Sequence, residues 1–351
     1  MIRASYMYIF GRMTAMSTPE ISIVIIGRNE EATIGKNLDI LVPEASRLNA
    51  EVVVVDSGSS DRTFAIARQY PVTVVRLDDS PLRSPAAARY IGTLHTHGKY
   101  IYYMDGDMIL IPHWLEEGMR HLKDSSVGGV AGRMLIVEPG EELARAREDG
   151  LPLGDVETLH TSGMYRRDVL EKTYTFNPYL KGEEERELGY RIQQAGFRLV
   201  RVPTPMGYHV FKELTTAVVD RKAGYWAGQG QIFRRYPITP LARTIASESI
   251  PTYTGIAVLY GPAVLLLIAL SGFLSPSINL VLFGIVGIAV LGLVALILRK
   301  GPQKVFLYLR QRYLISFHLV RGFILGLPDP PGFEQRVKFT MFEAKHCRGD
   351  S

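Results

Sequence analysis

Cysteine is nearly absent from this 351-residue sequence: Cys347, close to the C-terminus, is the single one. One thiol can form neither an internal disulfide nor a cysteine-based zinc site. Nothing in the sequence therefore calls for an oxidising compartment. Charge is missing from one long stretch, since 250–298 contain no Asp, Glu, Lys or Arg. A secretory signal is missing as well. The first 18 residues lack a long apolar run, and Arg12 sits where an apolar core would be. Met13 and Met16 follow closely, so a start at one of them would account for the opening dozen residues. No repeat of fixed period is visible.

The chain carries a net charge of +5 and a pI of about 9.1. A basic balance first suggests nucleic acid. The cations after residue 298 (Arg299, Lys300, Lys304, Arg310, Arg312, Arg321) instead follow the uncharged stretch, where membrane-flanking charge belongs. No nucleic-acid partner is expected. The apolar runs 256–274 and 278–298, joined by Ser275-Pro276-Ser277, each approach the ~20 residues that span a bilayer. They predict a transmembrane helical hairpin whose outer ends both face the cytoplasm. Residues 303–325 mix Phe306, Leu309, Tyr313 and Phe317 with Arg310, Arg312 and Arg321, which predicts an amphipathic helix in the interface. The expected organisation is an N-terminal extension (1–18), a catalytic α/β domain (19–245), two transmembrane helices (246–300), and an interfacial amphipathic helix with a basic cytoplasmic tail (301–351). The expected location is the cell inner membrane, with the catalytic domain facing the cytoplasm and membrane lipids as partners.

Apolar, β-branched runs at 21–26, 52–55 and 72–77 read as buried strands, and 100–104 as a fourth. Between and after them, 31–48, 63–69, 85–96 and 114–123 carry helical spacing. Further strands are expected at 128–137 and 198–202, with a helix inside 179–196. The alternation predicts a mostly parallel sheet with helices on both faces. Ligands bind such sheets beyond the carboxyl ends of the strands.

The residues just past those ends are polar. The first strand runs into Gly27-Arg28-Asn29-Glu30, and the second into Asp56-Ser57-Gly58-Ser59-Ser60-Asp61. A ribose or a base N–H could donate to Asp56, while Ser-Gly-Ser-Ser supplies backbone amides in a tight turn. Turn chemistry and helix capping explain the same residue types. The fourth strand runs into Asp105-Gly106-Asp107. Two carboxylates flanking a glycine can hold one hard divalent cation against a diphosphate.

In this order the motifs resemble glycosyltransferase family 2 of the GT-A (Rossmann-like) fold, in its membrane-anchored bacterial or archaeal type. Asn29-Glu30 closes the first strand, Val54-Val55-Asp56-Ser57-Gly58-Ser59-Ser60-Asp61-Arg62-Thr63 matches the family pattern throughout, and Ala88-Arg89 and Asp105-Gly106-Asp107 follow. The resemblance covers 21–202. It implies transfer of a sugar from a nucleotide-sugar, with a UDP-sugar favoured over a GDP-sugar. Gly27, Asn29, Glu30, Asp56, Ser57, Gly58 and Ser59 would surround the nucleotide, with Arg89, Asp105 and Gly106 near the diphosphate or sugar. Asp107, with Asp105 and His209, would hold Mn²⁺ or Mg²⁺.

Inverting members of the family carry Glu-Asp-x-(Asp/Glu)-Leu-x-x-Arg where this chain has Glu184-Glu185-Arg186-Glu187-Leu188-Gly189-Tyr190-Arg191. Glu185 therefore takes the place of the catalytic base, with Glu184 beside it; Glu for Asp adds one methylene. An acidic first helical turn is the alternative explanation. Ser162-Gly163 resembles the family's acceptor-side loop, and Arg234-Arg235 could face an acceptor or lipid headgroups. Two functions are expected in competition. One is inverting transfer to a hydroxyl of a lipid-linked saccharide. The other is synthesis of a polyprenyl-phosphate sugar, whose phosphate acceptor needs no base. A non-catalytic tether would leave these acids idle, and a nucleotidyltransferase would need a phosphate loop that Gly27-Arg28-Asn29-Glu30 is not.

Overall fold

The computed structural model of the chain describes residues 18–78, 82–138, 142–160, 162–210, 216–270 and 301–344, with scattered positions between 275 and 299. Four strands, β1 (Ile21–Gly27), β2 (Glu51–Asp56), β3 (Thr73–Leu77) and β4 (Tyr100–Asp105), run parallel in the order β3-β2-β1-β4. All four are Val-, Ile- or Tyr-rich and almost wholly buried, as expected of strands covered on both faces. Helices α1 (Ile34–Arg47), α2 (Thr63–Ala67) and α3 (Pro85–Leu94) make the crossovers. The entry to α3 is written in its sequence. Ser84 Oγ accepts from the Ala87 amide at 3.1 Å, and Pro85 takes the first turn. Three buried alanines and Gly92 then let α3 lie close on β1 and β2, where a Cβ on Gly92 would collide with Val24.

Beyond β4 the sheet stops being parallel. Strand β9 (Gly163–Arg166) inserts antiparallel between β4 and β6 (Val127–Val137). The long β10 (Arg198–Val210) runs parallel to β6 and antiparallel to β5 (Met108–Leu110) and β8 (Gly154–Val156). The sheet is therefore mixed, which corrects the mostly parallel expectation. Alternation alone does not reveal a short strand returning through a loop. At the other edge β11 (Phe339–Phe342) pairs antiparallel with β3, so the C-terminal segment closes back on the domain.

The remaining helices are α4 (Trp114–His121), α5 (Arg167–Thr173) and α6 (Glu184–Gln194), then α7 (Thr216–Arg235), α8 (Pro240–Glu248), α9 (Ile250–Leu270) and α10 (Pro302–Leu325). The expected transmembrane hairpin is overturned: among the described residues no helix is long and apolar enough to cross a membrane. The reason lies at the start of α9. Its first turn belongs to the protein, with Tyr253 donating to Gln229 on α7 at 2.9 Å and its ring set edge-on to Trp226. The described apolar part, from Ile256 to Leu270, covers about 22 Å against ~30 Å of hydrocarbon, and 271–274 of the expected span lie outside the described residues. The second expected span lies largely outside the described residues. Helix α10 packs along α7 so closely that a Cβ on Gly322 would strike the Ala227 carbonyl, and one on Gly230 the Leu319 carbonyl. Val305 and Ile315 of α10 are buried. Its other face shows Phe306, Tyr313, Phe317, Val320 and Phe323 to solvent.

Candidate active site

Strand register brings the polar residues together. Gly27 sits beside Asp56 across β1 and β2, and Ile26 beside Asp105 across β1 and β4. The three strands thus end level, and their following loops meet on one edge. The first two loops are sewn to each other. The Ser59 hydroxyl accepts from the Asn29 amide at 2.9 Å, and Asn29 Oδ1 accepts from the Ser60 amide at 2.9 Å. Thr63 accepts from the Glu30 amide at 2.7 Å. Asn29 adopts φ 60°, a left-handed conformation that asparagine tolerates better than most residues. Asp56 is buried and accepts from the Ser59 amide, both oxygens at 3.2 Å, with Arg76 Nε at 3.6 Å.

Glycines stand at two close approaches, and Gly58 is required at its own. Gly58 has φ +70°, and a Cβ there would also collide with Arg83, whose guanidinium donates to the Ser57 carbonyl at 3.0 Å. Gly106 donates to the Ile26 carbonyl at 2.7 Å and has the Gly27 backbone beside it. Gly27, Asn29, Glu30, Asp56, Ser57, Gly58, Ser59 and Gly106 thus form one continuous floor.

The centre of the site is Arg89, buried on α3. One guanidinium nitrogen donates to Glu184 at 2.7 Å, and the other reaches Asp105 at 3.0 Å and Glu185 at 3.1 Å. The Phe176 ring lies under it at 5.3 Å. This single cation ties the DGD turn to the first turn of α6. The approach to α6 is strained, since Glu183 holds φ 64°. Gln229 donates to Glu183 at 3.0 Å, and Arg186 pairs with it at 3.2 Å.

One guanidinium cannot neutralise three carboxylates. Burial, with the negative Asp107 nearby, pushes the Asp105 carboxyl up to about 7 against the pull of Arg89. Burial and the Glu185 charge push Glu184 up to about 8. Burial would lower the Arg89 guanidinium, but Glu185, Asp105 and Glu184 outweigh it and hold it raised. Glu184 is the deeper of the two glutamates, side chain 6% exposed; Glu185, at 18%, is the more open.

Asp105 and Asp107 line a cavity of about 330 Å³ together with His209, Met134, His160 and Arg201. The two carboxylates of the DGD turn, opening on that cavity with His209, offer oxygen and nitrogen ligands that fit a divalent cation. The three side chains do not converge tightly by themselves. Among the described residues the group close enough to clasp an ion is Glu44 on α1, with His113 and Glu116 at the start of α4. It stands at the surface, and Arg47 already pairs with both glutamates.

The acceptor-side expectations fall in two places. Ser162 is buried, with its hydroxyl against Met108 Sδ at 3.2 Å, and Gly163 opens β9 beside Tyr103. Arg234 donates to the Phe323 and Ile324 carbonyls at the end of α10, and Arg235 pairs with Asp329 at 2.9 Å. These arginines fasten α7 to α10. Sequence reasoning missed Arg201, His160 and Gln229. Arg201 sits in a strand without a motif, whereas the Gly228-Gln229-Gly230-Gln231 run did carry a signal.

Comparison with known proteins agrees with this geometry. Residues 22–195 match the family described as Glycosyl transferase family 2. Glycosyltransferase AglE of Haloferax volcanii is 26% identical over 226 residues, covering 61% of this chain and 73% of that protein. Glucosyl-3-phosphoglycerate synthase of Petrotoga mobilis is 33% identical over 119 residues, but these cover 33% of this chain and 35% of that protein. Among solved structures, mannosyltransferase PcManGT from Pyrobaculum calidifontis, in complex with GDP-Man and Mn²⁺, has a TM-score of 0.54 at 20% identity. It covers 91% of this chain and 92% of its own, which shows a shared GT-A-like fold. The chain carries a glycosyl transferase family 2 domain, and the protein is a glycosyltransferase.

Proposed function

We propose that this glycosyltransferase moves a sugar, with inversion, from a nucleotide-sugar to a hydroxyl of a saccharide acceptor presented at a membrane surface. The observation that carries the reading is the Arg89 bridge, which sets Glu185 beside the DGD turn. A phosphate acceptor is already ionised and needs no such carboxylate. Glu185, the more open glutamate, takes the acceptor's hydroxyl proton. The freed oxygen attacks the anomeric carbon as the bond to the diphosphate oxygen breaks. Glu184 stays bound to Arg89 and keeps that side chain in place. Asn29, Glu30, Asp56 and the 57–59 turn cradle the nucleoside. Asp107, Asp105 and His209 would hold Mn²⁺ or Mg²⁺, which would neutralise charge developing on the departing diphosphate. Nucleotide-sugars of the kind bound by PcManGT suit this cleft, with a UDP-sugar as the first donor to test.

Support for the membrane surface comes from α9 and α10, whose apolar side chains are exposed beside Arg310 and Arg321. The inner membrane's cytoplasmic face provides such a surface.

The test is nucleoside-diphosphate release by the purified protein. UDP- and GDP-sugars are offered with Mn²⁺ and host lipid extract, and Asp107→Ala and Glu185→Gln are run in parallel. Extract-dependent release, lost at least a hundredfold in both variants with donor binding kept in Glu185→Gln, supports the reading. Loss in Asp107→Ala alone moves the acceptor to a phosphate. No donor binding at all overturns it.

A further inference from the structure

A second cavity, of about 310 Å³, lies between the outer face of α6 and helix α8. Arg186, Tyr190 and Gln193 project into it from α6, one turn apart, and Pro240, Leu241 and Thr244 from α8. His160 and Arg201 line both this cavity and the one that holds Asp105 and Asp107. They form a two-residue partition between the spaces. We infer that this second cavity receives a saccharide unit of the acceptor, whose reacting hydroxyl reaches Glu185 past that partition. The inference rests on the transferase reading above and gives its saccharide acceptor a binding site.

Arg201 is the first argument. Its side chain is 1% exposed. Its terminal nitrogens donate to the Gly132 carbonyl at 3.0 Å and the Leu159 carbonyl at 2.8 Å, with Asp149 at 3.4 Å. Its Nε is buried without a hydrogen-bond partner. Leaving such a donor unmet costs about 1–3 kcal/mol, so the partition is held at a cost to stability. His160 is the second argument. It holds φ +58°, fixed where the Thr158 hydroxyl accepts from its amide at 3.2 Å. A non-glycine residue kept in that conformation is costly and collects at functional sites. Burial lowers its imidazole, as do the Arg201 and Arg186 charges, while Glu185 opposes them. The partition therefore lies within electrostatic reach of the proposed base.

The walls decide the class of ligand. Tyr190, Pro240 and Leu241 offer ring and C–H surface. Arg186 and Gln193 bring donors, and Glu157 and Thr158 bring acceptors. A sugar has that same pairing, with C–H faces and hydroxyl edges that both donate and accept. A bare anion would meet Glu157 and Glu248, and a lipid chain would strand charges in an apolar contact. The volume stands at the lower end of the ~300–1,000 Å³ of ligand cavities, which suits one or two rings.

The direct test needs no turnover. Saturation-transfer NMR on the full chain uses methyl glucoside, mannoside, galactoside and N-acetylglucosaminide, and maltose, with Mn²⁺ and UDP present. Contact with at least one in the wild type, lost in Thr244→Trp and reduced in Gln193→Ala, is the expected result. In the transfer assay Thr244→Trp should cut transfer at least tenfold. Nucleotide-sugar affinity and acceptor-free hydrolysis should stay within twofold, which a misfolded variant would not allow. No contact from any saccharide with nucleotide binding intact, or equal loss of hydrolysis and transfer, overturns the inference. Loss of nucleotide binding in the wild type overturns the transferase reading instead.

Discussion

At the residue scale the site is a problem of unbalanced charge, and only half of it was legible. Asp105, Asp107, Asp56 and Asn29 could be read from the sequence because each follows an apolar run that had to be a strand. That Arg89 would bind Glu184 could not, since 95 positions separate them and nothing local links them. Lys181, just before α6, shows a further cost of crowding. Burial, with Arg321 nearby, pushes its ammonium down from 10.5 to about 8. The unfolded chain then binds more protons than the folded one between about 8 and 10.5, so this group makes stability rise with pH through that window. Below about 8 the lysine is charged in both states, and the full cost of burying the charge is present. Lys181→Met should therefore stabilise the protein at pH 7 by on the order of 1 kcal/mol, discounted for the side chain's partial exposure. It should also flatten the rise in melting temperature between pH 7.5 and 9.5. Thermal unfolding of both proteins across that range checks it, and an unchanged slope would show that burial of Lys181 is not costly.

At the element scale α6, the helix that carries Glu184 and Glu185, is positioned from behind. Gln229 donates to Glu183 and to Ser249 at 3.2 Å, and its carbonyl accepts from Tyr253 at 2.9 Å. Gln231 donates to the Tyr179 and Gly326 carbonyls, each at 2.9 Å, and accepts from the Lys181 amide at 3.1 Å. Gly228 and Gly230, alternating with the two glutamines, let α7 touch Gly182 and α10. The work of the Gly228-Gln229-Gly230-Gln231 run is to join three elements. Helix periodicity gives the faces of α7, and only the packed structure shows what each face meets. Gln229→Leu leaves Glu183 buried with one donor fewer and should lower kcat for transfer by about tenfold. Donor KM should stay within twofold, because the nucleotide floor lies on other loops. Gln229→Glu, which cannot donate in its ionised form, should behave like the leucine variant. Equal loss of kcat and donor affinity would mean that the whole domain had loosened.

At the scale of the whole molecule the catalytic domain and the C-terminal helices form one body, and its apolar charge-free stretch was misread for an instructive reason. Hydropathy alone cannot tell a helix crossing lipid from one docked by its first turn to a neighbour and bare along the rest. The sheet was legible because burial on two faces imposes continuous apolar runs. Strand β11 was not, because Phe339–Phe342 gains its strand character only by pairing with β3. The exposed row on α10 is still the largest feature without a role in the fold: Phe306, Tyr313, Phe317, Val320 and Phe323 are each more than half exposed. Apolar rings beside arginines are the composition that binds an anionic bilayer surface, where area and charge act together. The protein should therefore float with vesicles of phosphatidylglycerol and phosphatidylcholine, and much less with phosphatidylcholine alone. Binding should weaken as salt rises from 0.1 to 0.5 M, as screening of surface charge requires. Phe317→Glu with Phe323→Glu should reduce vesicle binding at least tenfold while leaving nucleotide binding unchanged, since both side chains are exposed on a helix remote in sequence from the nucleotide loops. If those substitutions instead convert a dimer into a monomer without affecting flotation, the row is covered by a second copy of the chain, and the acceptor must be sought in solution.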